Sequence, residues 1–432
     1  MSHSPPGPRL GADDLAAVDA IAAPADARLQ ALYRRDGEGR QPVHTVYVAA
    51  DKVTPDLPGR WGAAAREALA AHAPSVTRFC AALGLSDQDT YAMTSEGGWD
   101  RVLAKLDSEP VEDLRIDLED GYGTRDDASE DQHLVSALGH LADLVTAGTA
   151  PPFCGIRIKS MEAATRARAV RTFDLALASL LDRGPLPPGW AVTLPKVTGV
   201  EQVHAMVDVC RRLEIVYGLS EGSLRFEVQV ETPQAVLAAD GTALVARIVH
   251  ESDGRLSGLH LGTYDYTAAL GIPPGQQAMD HPVAEHAKQV MALAVAGTGV
   301  RLSDGSSNQL PTGSGAAVHR AWAEHARLVR RSLTRGYYQG WDLHPAQLPT
   351  RFTATYLFFT RDLYGLCRRL AFYLGQRHAR AGQHLDEPAT AQSIAAFLLR
   401  AIDCGAVPAM TATELTGADL ETLNRLASRR VS

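Results

Sequence analysis

The chain has 432 residues, of which 45% are hydrophobic and 21% are charged, and its formal net charge is −8. This composition is typical of a folded globular protein and excludes a largely disordered chain. The mild acidity and the lack of a basic stripe argue against nucleic acid as the main partner.

The N-terminal segment, residues 1–42, is predicted to be a loose tail followed by one helix. Pro, Gly and Ser are frequent in residues 1–12, and a helical pattern with an apolar stripe covers residues 13–33. The stripe consists of Leu15, Val18, Ile21 and Leu29.

Eight short β-rich runs follow, and helical patterns separate them. The runs cover residues 44–50, 114–120, 154–159, 190–197, 226–232, 256–265, 299–305 and 337–345. The gap after the first run contains a predicted insertion over 84–110, and each later gap leaves room for one crossover helix. Eight strand–helix repeats predict an α/β fold, a (β/α)8 TIM barrel over residues 43–383.

The end of the chain is predicted to be helical. One long helical stretch is expected over 352–383, with shorter helical patterns near 388–404 and 412–430. We assign residues 384–432 to a C-terminal helical extension, which would act as a lid or a subunit contact.

Alternation along three of the runs predicts a polar barrel interior. In the run at 226–232, Glu227, Gln229 and Glu231 share one face, and valines occupy the other. The polar faces of two earlier runs contain Arg115, Asp117, Glu119, Arg157 and Lys159. A barrel with so polar an interior is expected to hold a charged ligand.

Nearly every predicted strand ends with an ionisable residue, at the end of the barrel where active sites lie. These residues are Asp51, Lys52, Glu119, Asp120, Arg157, Lys159, Lys196, Glu231, Asp265, Asp304 and His344. Converging carboxylates repel one another unless a cation or protons compensate, and oxygen ligands favour Mg²⁺, with Mn²⁺ as an alternative. Glu231 and Asp265 are the best pair of metal ligands, because they end adjacent strands. The alternative is that the carboxylates only pair with the basic residues.

A predicted substrate-binding set also comes from the strand ends. It consists of Arg157, Lys159, Lys196, Glu231, Asp304 and His344. The guanidinium of Arg157 offers a fork that suits a substrate carboxylate or enolate oxygen. A structural pairing of Arg157 with Glu119 or Asp117 is the alternative, and both roles are compatible.

Short segments at the strand ends form an ordered series of motifs. They are Val48–Lys52, Leu118–Gly121 (LEDG), Gly155–Ile158 (GIRI), Pro195–Val197 (PKV), Val230–Thr232 (VET), Gly262–Tyr266 (GTYDY) followed by Leu270–Gly271, and His344–Gln347 (HPAQ). In this order and placement they resemble the HpcH/HpaI aldolase and citrate lyase beta-subunit family of the phosphoenolpyruvate/pyruvate-binding barrels. The resemblance spans about residues 44–350, and Lys159 departs from it where the family has Asn.

The resemblance implies a Mg²⁺-dependent carbon–carbon lyase or aldolase that acts through a metal-stabilised enolate. Its substrate would be a hydroxy or 2-oxo acid, or the CoA thioester of one. Glu231 and Asp265 would bind Mg²⁺, Arg157 would bind substrate, and Glu119 and Asp120 would have acid/base or water-mediated roles. By analogy with the family we also expect a homo-oligomer.

Two questions stay open at this point. The general base is one of Asp120, Glu119, Asp304 and His344. The alternative functions are a thioester hydrolase, a malate-synthase-like or phosphoenolpyruvate-using enzyme on the same barrel, and a non-catalytic acid-binding protein.

Several other signals carry no predicted chemistry. The five cysteines form no CxxC pair, and no apolar run approaches the ~20 residues of a membrane span, so we expect a cytoplasmic protein without a membrane partner. The GxSxG segment at 218–222 precedes a strand instead of following one, as a nucleophile elbow would. His319 and His325 are expected at the surface, Trp341 is expected to pack on its strand, and His260 is either a core partner or a site residue.

Overall fold

A computed structural model of the chain describes residues 9–33, 39–187, 189–376 and 388–428. Eight parallel strands form a closed barrel in sequential order, which confirms the predicted (β/α)8 TIM barrel. The strands are β1 (His44–Ala49), β2 (Asp113–Asp117), β3 (Phe153–Arg157), β4 (Ala191–Leu194), β5 (Phe226–Val230), β6 (Leu256–Leu261), β7 (Arg301–Ser306) and β8 (Gln339–Trp341).

Helices surround the barrel and extend beyond it. They are α1 (Ala12–Leu32), α2 (Leu57–His72), α3 (Val76–Leu83), α4 (Asp87–Ser95), α5 (Gly98–Ser108), α6 (Asp127–Thr146), α7 (Arg166–Leu181), α8 (Val200–Tyr217), α9 (Pro233–Val236), α10 (Leu244–His250), α11 (Thr263–Ala269), α12 (Pro282–Val295), α13 (Gly315–Thr334), α14 (Leu348–Thr360), α15 (Leu363–Gln376), α16 (Pro388–Asp403), α17 (Ala409–Thr416) and α18 (Leu420–Ala427). None of the described helices is long and apolar enough to cross a membrane.

The main hydrophobic core lies between the strands and the ring of helices. Side chains that point outward from the strands, such as Ile116, Val192 and Val228, are completely buried in it. Because successive side chains of a strand alternate between its faces, the residues between them point into the barrel. There Arg115 and Glu227 form an ion pair at 3.1 Å, so the predicted polar interior is confirmed.

The connection between β1 and β2 holds more structure than the predicted insertion over 84–110. Four helices, α2 to α5, fill residues 57–108. They pack with α13 and α14 around a second hydrophobic core that contains Phe79, Trp322 and Phe352. The insertion is therefore a part of the fold, because it shares this second core with helices of the barrel.

The C-terminal helices break at points that periodicity did not show. The single helix expected over 352–383 is two helices, because α14 ends at Thr360 and α15 begins at Leu363. The pattern near 412–430 is also divided, where Gly417 adopts a φ of 65° after α17. The expected domain boundary between residues 383 and 384 lies outside the described residues.

Helix α1 confirms the predicted N-terminal helix, but its apolar stripe is not buried. Leu15 is 57% exposed and Ile21 is 82% exposed. Tyr33, the residue after α1, contacts the ring of His250 at a centroid distance of 5.3 Å.

A buried polar network joins the first and last strands. Asp342, which follows β8, lies 2.8 Å from Nδ1 of His44 in β1 and 3.1 Å from Nε2 of His325 in α13. Although burial acts to raise the pKa of Asp342, Arg351 and the two histidines hold it well below its usual range. His325 is thus a buried core residue, and its predicted place at the surface is wrong.

Candidate active site

Four predicted carboxylates converge at the C-terminal ends of the strands, which we call the rim. This carboxylate cluster consists of Glu119, Asp120, Glu231 and Asp265. The ammonium of Lys196 lies among them, 2.9 Å from both Asp120 and Asp265, 3.3 Å from Glu119 and 3.7 Å from Glu231. The structure therefore brings together five residues that the strand-end rule selected.

Glu231 is the most constrained carboxylate of the cluster. It is 2% exposed; its Oε1 accepts the backbone N–H of Lys196 at 2.8 Å, and its Oε2 accepts Nε2–H of Gln229 at 2.6 Å. Burial raises the pKa of Glu231 to about 8, and the neighbouring Lys196 only partly offsets this. Gly262 leaves room for the side chain, because a Cβ there would lie 2.5 Å from Cβ of Glu231.

Lys196 has an unusual backbone as well as a central side chain. Its φ of 53° lies in the left-handed region, which is uncommon outside glycine. This conformation directs its N–H toward Glu231 while its side chain reaches the rest of the cluster. Burial acts to lower the pKa of Lys196, but Glu231 and its neighbours outweigh this and raise it, so the side chain stays charged.

Three members of the cluster can together hold a metal ion. Ligand oxygens of Asp120, Glu231 and Asp265 all lie within 4.8 Å of one another. An all-carboxylate set suits hard cations such as Mg²⁺ and Mn²⁺. The predicted pair is thus joined by Asp120, for which we expected an acid/base or water-mediated role.

Arg157 lies below the cluster and is paired. Its Nε and Nη2 donate to the two carboxylate oxygens of Asp117 at 2.7 and 2.6 Å, and its Nη1 donates to Gln229 at 3.2 Å. The rings of Tyr47 and Trp341 cover the guanidinium at 4.8 and 5.5 Å, and Arg157 is 2% exposed. The pairing with Asp117, which the sequence left as an alternative, is present.

Two residues of the predicted substrate-binding set point away from the rim. Asp304 is 1% exposed and binds Lys288 of α12 at 2.9 Å and Ser332 of α13 at 2.5 Å. An irregular register between β7 and β8 starts at Ser303, next to Asp304. Lys159 lies two residues beyond the end of β3 and binds Glu130 of α6 at 2.7 Å. Neither placement fits the expected contact with substrate.

The two remaining histidines of interest differ in their surroundings. His344 is half-buried, its Nδ1 accepts the N–H of Ala346 at 3.1 Å, and burial lowers its pKa, which favours the neutral ring. His260 is buried in the barrel, with Nε2 2.9 Å from Glu227. This contact makes His260 a partner of the polar interior.

Sequence reasoning missed three side chains that shape the site. Gln229 connects Arg157 to Glu231, and the two-residue alternation of the β5 run already placed it on the inner face. Tyr47 and Trp341 form the aromatic cover of Arg157, although Trp341 was expected only to pack on its strand. Aromatic residues on strands are usually core residues, so no signal in the sequence separates these two.

The structure thus combines a (β/α)8 barrel with a cluster of carboxylates around one lysine at its rim. A family profile described as a domain of unknown function (DUF6986) matches residues 22–431, and the chain belongs to this family. A comparison with curated proteins gave no match.

Solved structures share the barrel at low sequence identity. A citrate lyase from Burkholderia xenovorans LB400 is 21% identical with a TM-score of 0.54, over 74% of this chain and 93% of that chain. A malate synthase from Haloferax volcanii is 14% identical with a TM-score of 0.47, over 91% and 98% of the two chains. A CitE protein from Mycobacterium tuberculosis, in complex with magnesium, acetoacetate and coenzyme A, is 18% identical with a TM-score of 0.45, over 84% and 97%. The first of these likenesses supports the barrel fold.

Proposed function

We propose that the protein is a divalent-metal-dependent carbon–carbon lyase or aldolase of the citrate lyase beta type. Its substrate is a hydroxy or 2-oxo acid, free or as a CoA thioester. The observation that carries this proposal is the convergence of Asp120, Glu231 and Asp265 within 4.8 Å at the barrel rim. The motifs that hold these residues resemble those of the lyase family.

Asp120, Glu231 and Asp265 would hold the cation, with Mg²⁺ as the first choice and Mn²⁺ as the second. When bound, it supplies positive charge that polarises a substrate carbonyl and eases proton removal beside it. Lys196 provides a second positive group at the rim, where its side chain is 29% exposed. Its ammonium is suited to bind the carboxylate of a small acid.

Two groups bear on proton transfer, namely Glu119 in the cluster and His344, which follows β8. Burial raises the pKa of Glu119, so this carboxyl holds a proton closer to neutral pH than an exposed one does. Burial lowers the pKa of His344, so its ring is neutral, and because Nδ1 accepts the N–H of Ala346, Nε2 carries the ring hydrogen and can donate a hydrogen bond to a substrate oxygen. In cleavage of a β-hydroxy acid, the base takes the hydroxyl proton, the hydroxyl oxygen forms a new carbonyl as the carbon–carbon bond breaks, and the electron pair of that bond leaves with the acyl fragment as its enolate. Asp304 drops out as a candidate base, because it is buried against Lys288.

Hydrogen–deuterium exchange tests the enolisation chemistry without the full substrate. The protein is incubated in D₂O with Mg²⁺ and either pyruvate or acetyl-CoA, and the methyl protons are followed by NMR. We expect exchange that needs the metal and is lost in Glu231→Gln and Asp265→Asn. Exchange that survives in either variant would contradict the metal assignment. A complete lack of exchange, combined with tight binding of a small acid, would favour a non-catalytic protein.

Product analysis separates the lyase from the other enzymes that this barrel supports. A lyase splits the carbon skeleton of the acid, whereas a thioester hydrolase leaves it intact and a condensing enzyme extends it. We expect two carbon fragments from each molecule of substrate. An intact or lengthened skeleton would replace the lyase assignment with one of the alternatives.

A further inference from the structure

We propose that Asp117, Arg157 and Gln229 form a buried positioning chain that holds the carboxylate cluster ready for a cation. In this proposal Arg157 acts by orienting other side chains. The inference rests on the proposed function in one respect, namely that the cluster binds a divalent cation.

Asp117, the first member of the positioning chain, holds the loop that carries Glu119 and Asp120. Oδ1 of Asp117 accepts the N–H of Glu119 at 3.1 Å, and Oδ2 accepts the N–H of Gly121 at 2.9 Å. Each of these oxygens also accepts one N–H of Arg157. Asp120 therefore lies between two backbone amides that a single buried carboxylate fixes. A side chain at position 121 would disturb this, because a Cβ there would lie 2.5 Å from Oδ2 of Asp117.

Arg157 and Gln229, the other two members of the positioning chain, extend the contacts to Glu231, which follows β5. Nη1 of Arg157 donates to Oε1 of Gln229 at 3.2 Å, and this contact fixes which end of the amide is the acceptor. Nε2 of Gln229 is then directed to Oε2 of Glu231, at 2.6 Å. The guanidinium thus sets the orientation of the amide, and the amide sets the orientation of the carboxylate.

The surroundings of Arg157 hold its guanidinium in one place. Arg157 forms a two-point ion pair with Asp117, lies 3.5 Å from Glu119 of the cluster, and is 2% exposed. The aromatic rings of Tyr47 and Trp341 cover the planar guanidinium of Arg157. Partners outside the first ligand layer commonly tune metal affinity by holding ligands in place, which is the role that this geometry gives to Arg157 and Gln229.

Mn²⁺ binding in the absence of substrate tests the positioning chain. Electron paramagnetic resonance and calorimetry measure this binding. Gln229→Met removes the amide and keeps the length of the side chain. Gln339→Met is the matched control, because Gln339 is also a buried glutamine inside the barrel but binds Thr45, away from the cluster. We expect about a tenfold to hundredfold loss of Mn²⁺ affinity in Gln229→Met, and less than about a twofold change in Gln339→Met.

Arg157→Lys separates positioning from substrate binding. A lysine keeps the charge but cannot bridge Asp117 and Gln229 together, so we expect the same loss of Mn²⁺ affinity. Wild-type Mn²⁺ affinity in Arg157→Lys and in folded Gln229→Met would overturn the inference. If Gln229→Met does not fold, Gln229→Asn replaces it, since it keeps the amide and withdraws it from Glu231. A wild-type protein that does not bind Mn²⁺ would instead overturn the metal assignment of the proposed function.

Discussion

At the scale of single residues, the site is governed by one ammonium among four carboxylates. Lys196 offers one positive charge to the cluster of Glu119, Asp120, Glu231 and Asp265. Like charges this close cannot all stay ionised without more compensation. Either a proton or a second cation completes the balance. Burial, together with the nearby Asp265, raises the pKa of Glu231, which favours a proton on this carboxyl in the metal-free protein.

Replacement of Lys196 by Met should make stability depend on a divalent cation. Without the ammonium the carboxylates repel one another, so we expect the thermal unfolding midpoint of the metal-free variant to fall by several degrees and to recover with Mg²⁺. Lys52→Met serves as the control, because Lys52 is an exposed residue on the same rim. If Mg²⁺ raises the unfolding midpoint of Lys196→Met no more than it raises that of the wild type, this account is contradicted.

The raised pKa of Glu231 predicts a pH-dependent stability of the metal-free protein. The folded state keeps this proton up to about pH 8, whereas the unfolded chain releases it near the ordinary value of 4.5. The contribution of Glu231 to the free energy of unfolding is therefore fully present below about pH 4.5 and is lost as the pH rises toward 8. Urea unfolding across this range should show the decline, and Glu231→Gln should lack that part of the slope.

Residue-level prediction from sequence worked where a strand ended regularly. Glu231 directly follows β5, Lys196 lies two residues after β4, and Asp265 lies in the first turn of α11 after β6, so the strand-end rule found all three. Asp304 was misplaced because its position at a strand end does not give the direction of its side chain: Leu302 packs in the outer core, and Asp304, two residues later, points the same way, to Lys288 and Ser332. Lys159 lies beyond its strand, where alternation no longer determines direction.

At the scale of elements, the end of β6 is shaped to admit a side chain from β5. Gly262 lies against Glu231, and a methyl group there would meet Cβ, a carboxylate oxygen and the amide of Gln229 within 3.2 Å. Gly262→Ala should displace Glu231 and weaken Mn²⁺ binding, with a loss of stability of about 1–3 kcal/mol. Gly275→Ala, where a Cβ meets no atom within 4 Å, should change neither quantity.

The elements themselves were largely predictable because their patterns are local. All eight strands occur where alternating or apolar runs indicated them, and their order gave the barrel. Helix breaks were less predictable: the end of α14 at Thr360 carries neither Gly nor Pro, so periodicity alone suggested one continuous helix. The four helices of residues 57–108 were underestimated, since their core forms with distant α13 and α14.

At the scale of the whole molecule, the C-terminal helices share a core with the barrel's own helices. Leu398 of α16 is completely buried in the second core, together with Phe352 of α14. Leu398→Ala should cost about 2–5 kcal/mol of unfolding free energy in urea, whereas Leu420→Ala, at a 41% exposed position, should cost far less. Equal losses of unfolding free energy in the two variants would show that the C-terminal helices contribute little to the stability of the folded barrel.

Self-association stays a prediction, and light scattering checks it. We expect a mass that is a multiple of the 46.2 kDa chain. Helix α1 offers exposed apolar side chains for such contacts, among them Leu15 and Ile21. A single species of 46.2 kDa would contradict the expectation.

The junction between β1 and β8 has a consequence for how the protein is made. Its hydrogen bond from His44 to Asp342 joins residues 298 positions apart, so this contact is among the last that a growing chain can form. Until β8 leaves the ribosome, β1 has an open edge, and long-range pairing of this kind is slow and exposes nascent chains to aggregation. Barrel closure is thus a late event of synthesis, and weakening His44 or Asp342 should lower the yield of folded protein more than its activity per folded molecule.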